Sequence, residues 1–263
     1  MYGMIRITLL GIMRDRVFQG ICAIAVLFFL IPVASSLSMR QVTELSITLA
    51  LSLISFILFL LSVFLGTVSL WRDHEKRYTY STLGLPVTRN SYVLGKFAGT
   101  SLFMLISAGV LALVTVVVVH YSSTIYPSSK PVAWHYLMLA IVFDVLKYIL
   151  LVSLAFLLAS FSTSLFLPVF GTISLFFAGC ATQGVYEFLV SDSGKKLPLI
   201  VQKAAKGLYY VLPNFSAFDL KLNAIYGIQV SSRGLLLTLI YFIVYTATVL
   251  FLGTVIYSRR ELR

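Results

Sequence analysis

Six uninterrupted apolar runs, at about 17–37, 45–70, 97–120, 136–160, 165–190 and 234–257, decide what this chain can fold into. Each exceeds the roughly 18 residues that separate a bilayer-spanning helix from a core helix. In hydrocarbon every backbone N–H and C=O needs a partner inside the segment, so runs of this length are helices. They do not show the alternating pattern of barrel strands. Composition agrees, with 59% hydrophobic and 11% charged residues among 263 and a mean hydropathy of +0.98. A soluble domain carries about 25% charged residues. The expected fold is all-α: a polytopic membrane protein with six transmembrane helices, forming a single transmembrane domain over residues 1–263.

The net charge of +11 reads as basic flanks facing anionic headgroups, so nucleic acid is not expected among the partners. Cys22 and Cys180 both sit in apolar runs and are expected to be small buried hydrophobes. Arg14 and Arg16 precede the first run as in a signal peptide, but Val33-Ala34-Ser35 is a poor cleavage site. That run is therefore expected to be retained as a span.

Six spans place both termini on one side. That side carries eleven basic residues in the N-terminal flank, the 71–96 loop and the tail, against eight on the other side. The positive-inside rule makes the termini cytoplasmic. The long 191–233 connector then lies outside, and its amphipathic stretch 198–212, with Lys203, Lys206, Tyr209 and Tyr210, is expected to form an external surface helix able to dock an accessory protein. Residues 2–16, with Arg6, Arg14 and Arg16 among apolar side chains, are expected to form an amphipathic helix on the cytoplasmic surface.

The segment Trp71-Arg72-Asp73-His74-Glu75-Lys76-Arg77-Tyr78 follows the second run without a break. Helix is expected to continue from the membrane into the cytosol, to turn near 84–89, and to return as the third span. Pro86 stops it, because the residue before a proline is pushed out of the α region. A charge run is commonly only a solvated face. This one has the length and mixed charge to dock a soluble partner.

Here a family likeness enters. Glu75, Pro86 eleven residues later, Arg89 three beyond it, and then Gly95-Lys96 resemble the corresponding loop of type 2 ATP-binding-cassette exporter permeases. Leu212-Pro213-Asn214-Phe215-Ser216-Ala217-Phe218 resembles the proline-containing segment before the last span of that family, and Tyr257-Ser258-Arg259-Arg260-Glu261-Leu262-Arg263 its basic tail. In flavour the chain is similar to the copper-processing permease that serves nitrous-oxide reductase. It departs from the family in carrying Lys76, Arg77 and Tyr78 where small residues are common.

The resemblance implies a multi-pass protein of the bacterial inner membrane, paired with a second permease copy and with two cytosolic ATPase subunits. ATP and Mg would belong to those partners, and this chain would carry no cofactor. It further implies an ATPase-coupling role for Arg72, Asp73, His74, Glu75, Lys76, Arg77 and Arg89.

Two further groups stand out. Asp144 and Lys147 fall inside the fourth run, where each charge costs about 2.5–3.5 kcal/mol on insertion scales. Spaced i,i+3, they lie on one face and can pair. They read either as a translocation-path or dimer-interface site or as a self-neutralising pair within the bundle. Tyr186 and Glu187 near the outer end of the fifth run are candidates for an outer gate, or else ordinary interfacial residues.

No GxxxxGK[ST] phosphate loop, HExxH helix or GxSxG elbow occurs, and His74, His120 and His135 have no metal-ligand spacing. The expected function is the non-enzymatic transmembrane subunit of an ATP-driven exporter. A non-transporting scaffold and a secondary carrier are the alternatives.

Overall fold

The computed structural model describes residues 2–13, 16–37, 41–75, 89–125, 131–192, 196 and 198–259. Every regular element among them is helical. In chain order these are α1 (Tyr2–Met13), α2 (Arg16–Ala25), a 3-10 stretch (Val26–Leu30), α3 (Ile31–Ser36), α4 (Val42–Glu75), α5 (Arg89–Ile125), α6 (Trp134–Phe161), α7 (Phe166–Val190), α8 (Leu199–Val211), a 3-10 turn (Phe215–Phe218), α9 (Lys221–Tyr226) and α10 (Ser232–Arg259). Six stretches among the described residues are long and apolar enough to cross a bilayer: Phe18–Ser36, Val42–Ser69, Asn90–Ile125, Trp134–Phe161, Phe166–Val190 and Ser232–Arg259. They fall within a few residues of five of the runs read from the sequence, the third starting about seven residues earlier.

The first span is built from pieces rather than one helix. Pro32 stands in the first turn of α3, where a missing N–H is tolerated. The turn before it tightens to 3-10 geometry, with the Ile31 N–H donating to the Phe28 carbonyl.

The span of α6 is the hub, with 78% of its most apolar window buried against 22% for α7 and 11% for α10. Its central place comes from its neighbours, since α4, α5, α7, α9 and α10 all pack on it. The outer faces of α7 and α10 stay apolar and exposed, as lipid contact requires. Cys180 is one such exposed residue, which corrects the expectation of a buried thiol. An apolar run in a membrane protein points as readily toward lipid as toward protein. The side chain of Cys22 lies outside the described residues.

Of the helix expected over 2–16, Tyr2–Met13 is helical as α1, and it is apolar on its exposed side as well as its buried one. It packs on α5, burying Thr8 and Ile12 while exposing Ile7, Leu10 and Met13. The surface helix expected over 198–212 is α8, which buries none of its residues. At the end of α9, Gly227 adopts φ +66°. This left-handed cap, strained for any residue with a Cβ, ends the helix and turns the chain toward α10.

Candidate functional site

The charged segment after the second span is helical as far as Glu75, where the described stretch ends. With 34 residues, α4 runs about 50 Å at 1.5 Å per residue, against a hydrocarbon core of about 30 Å. Its apolar span ends at Ser69, and helical backbone continues through Arg72, Asp73, His74 and Glu75. Arg89 is the first residue of α5. Lys76, Arg77, Pro86 and the expected turn lie outside the described residues.

At the base of this projection the helices are clamped together. The Lys96 ammonium on α5 donates to the Ser69 carbonyl on α4 at 2.5 Å and lies 5.3 Å from the Tyr92 ring centroid. Tyr92 stacks on Tyr257 of α10 at 6.1 Å, and Phe97 meets Phe156 of α6 edge-on at 5.9 Å. These rings, with Val93, Val152 and Ala159, form a second buried cluster beneath the main core. The last turn of α4 thus stands on a footing shared by α5, α6 and α10.

Asp144 and Lys147 are brought together. Lys147 donates to Oδ1 of Asp144, and both residues are only 6% exposed. Ser55 on α4 donates to the other oxygen, Oδ2, at 2.6 Å. The Lys147 ammonium also lies 4.6 Å from the Tyr148 ring centroid, a distance at which the ring quadrupole attracts it. Asp144 is ten residues into α6, about 15 Å from its start, well inside the apolar span Trp134–Phe161. The group sums to zero charge, and it ties α4 to α6 at that depth.

At the far end of the bundle, Glu187 accepts from the Gln183 amide at 2.8 Å, and the Gln183 oxygen accepts from the Asn214 side-chain amide at 2.9 Å. The Asn214 backbone N–H donates to the Tyr241 hydroxyl at 2.9 Å. Tyr245 donates to the Val211 carbonyl and Ser216 to the Cys180 carbonyl, each at 2.9 Å. Tyr186 stacks on Tyr209 with centroids 4.4 Å apart. The loop 211–218 is thereby latched across α7 and α10, with Phe215 and Phe218 driven into the core at 1% exposure. Gly179 permits it: a Cβ there would sit 2.5 Å from both the Pro213 carbonyl and the Phe215 ring.

The likeness to exporter permeases had implied a charged helical continuation of the second span, a proline-containing segment before the last span and six spans in all. The family model described as ABC-2 family transporter protein matches residues 7–262. The chain belongs to this family. No curated protein matches it significantly.

An ABC-2 transporter chain is a multi-pass transmembrane permease component of an ABC transporter. Members of this family are non-enzymatic and associate with an ATPase subunit, usually as dimers. In this ABC-2 permease the sequence singled out Glu75, Asp144, Lys147, Tyr186 and Glu187, and it marked Lys96 and Asn214 only as members of family-like segments, while Ser55, Gly179, Gln183, Tyr241 and Tyr245 were missed as site residues. The missed residues are common types whose contacts to other elements lie 27 to 89 positions away.

Proposed function

We propose that two copies of this chain and two cytosolic ATPase subunits form an ATP-driven exporter of the bacterial inner membrane, with both termini cytoplasmic and the 71–89 segment as the docking element. The observation that carries this reading is the unbroken helix of α4 from Val42 to Glu75. A rigid rod that is held at the membrane boundary by Lys96 and inside the span by the Ser55–Asp144 bond converts a push on its charged end into a tilt of the bundle. Arg72, Asp73, His74, Glu75, Lys76, Arg77 and Arg89 supply the mixed charge that a soluble ATPase surface pairs with. The outer latch of Gln183, Glu187, Asn214 and Tyr241 closes the opposite end and opens as the helices tilt, with Tyr186 and Glu187 at its rim.

The deciding experiment is purification from native membranes in mild detergent, mass spectrometry of the retained subunits, and ATPase assay of the complex. A stoichiometric subunit with a Walker motif, whose activity falls with Glu75→Arg while the permease still inserts, supports the exporter. A stable complex without an ATPase points instead to a scaffold, and ion-driven transport without nucleotide to a secondary carrier. The likeness to the permease serving nitrous-oxide reductase makes a maturation role the first cargo hypothesis. Its test is the copper content of that enzyme when the permease is deleted.

A further inference from the structure

Between the starts of α4 and α6 and the turn after α9 lies a cavity of about 470 Å³. It sits at the end of the bundle away from the termini, and its walls include Thr43, Glu44, Ile47, His135, Tyr136 and Gln229. Glu44 is the unusual member, because its Oε2 is buried and has no hydrogen-bond partner.

The other acids with described side chains are all engaged. Asp144 holds Lys147 and Ser55, Glu187 holds Gln183, Asp219 accepts from the Lys221 N–H, and Asp192 is partnered too. A buried carboxylate oxygen without a donor is unfavourable, the more so when ionised. Glu44 lies in the first turn of α4, where the helix dipole favours a negative charge. What it lacks is a donor.

We propose that this cavity binds a primary ammonium group. The Glu44 carboxylate supplies the acceptor and the Tyr136 and His135 rings, 3.9 Å apart, supply aromatic surface for a cation. Thr43 and Gln229 add polar atoms on the wall. A divalent metal fits less well. Calcium takes six to eight oxygens and zinc three or four His, Cys or carboxylate ligands, and among the described residues no group of three His, Cys, Asp or Glu could hold one. A quaternary ammonium has no N–H with which to satisfy Oε2. The same chemistry is offered by a soluble amine and by an ethanolamine lipid headgroup at the membrane rim. The proposal stands apart from ATPase coupling, because binding is read on this chain alone.

Trp134 lies between the lining residues Ala133 and His135, and the chain has two tryptophans, so the full-length Trp71→Phe protein reports the site by fluorescence. In detergent, ethanolamine is expected to give a saturable change, tetramethylammonium none, and Glu44→Gln at least a tenfold loss of affinity. In nanodiscs, phosphatidylethanolamine is expected to shift the emission relative to phosphatidylcholine, again only with Glu44 present. A response in detergent assigns a soluble amine, and a response confined to nanodiscs assigns the headgroup. Should Glu44→Gln fail to fold, Gln229→Ala, at an exposed position, is expected to weaken binding several-fold. No side-chain-dependent response in either arm, or an equal response to tetramethylammonium, overturns the proposal and leaves water as the occupant.

Discussion

Ser55 and Asp144 are 89 residues apart in sequence, yet the serine hydroxyl donates to the aspartate at 2.6 Å in the middle of the bundle. The carboxylate is saturated from two sides, by Lys147 on its own helix and by Ser55 on the helix that projects from the membrane. This one acceptor makes α4 and α6 a mechanical unit.

Removing one member of the pair should therefore be worse than removing both. Lys147→Leu leaves Asp144 buried with a single neutral donor, and breaking a buried pair destabilises by about 3–5 kcal/mol. The double change Asp144→Leu/Lys147→Leu leaves no buried charge and should melt closer to the parent protein. Thermal melts in detergent decide it, and equal melting of the single and double variants would count against the pairing.

Ser55→Ala isolates the link between helices. A hydrogen bond to a charged group contributes about 1.5–3 kcal/mol, so a modest fall in melting temperature is expected. Coupled ATPase activity in the assembled complex should fall further than stability does. Retained coupling would show that α4 does not drive α6 through this bond.

Lys96→Met removes the clamp between α5 and the Ser69 carbonyl while keeping the length of the side chain. Losing a cation at the membrane edge offsets part of the lost bond, so stability should change by under about 1.5 kcal/mol, less than the bond alone contributes. Nucleotide-stimulated transport should drop, and Lys96→Arg should restore much of it. Transport assays in proteoliposomes with the ATPase subunit compare the two variants.

Gly179→Ala sets helix propensity against space. Alanine favours the helix by about 1 kcal/mol, but its Cβ would lie 2.5 Å from the Pro213 carbonyl and the Phe215 ring. Overpacking costs about 1–3 kcal/mol, and here part of the obstruction is backbone. The clash should win, lowering the melting temperature and releasing the 211–218 latch. Faster protease cleavage within 205–220 than in the parent protein would report that release.

Local pattern alone determined the six spans, the helical continuation of the second one to Glu75, the helices α1 and α8, and the pairing of Asp144 with Lys147. Each of these depends on neighbours within a few residues, through apolar run length or i,i+3 spacing, and such spacing is written in the chain. Tertiary structure alone decided that α6 would be the hub and that Cys180 would face outward, because a run of apolar residues does not say which face meets protein and which meets lipid. It also decided that Ser55 would complete Asp144, that Lys96 would reach Ser69, and that Gly179 would make room for Pro213 and Phe215. Those contacts join residues far apart in the chain, so they exist only once the helices have chosen their neighbours and their rotations.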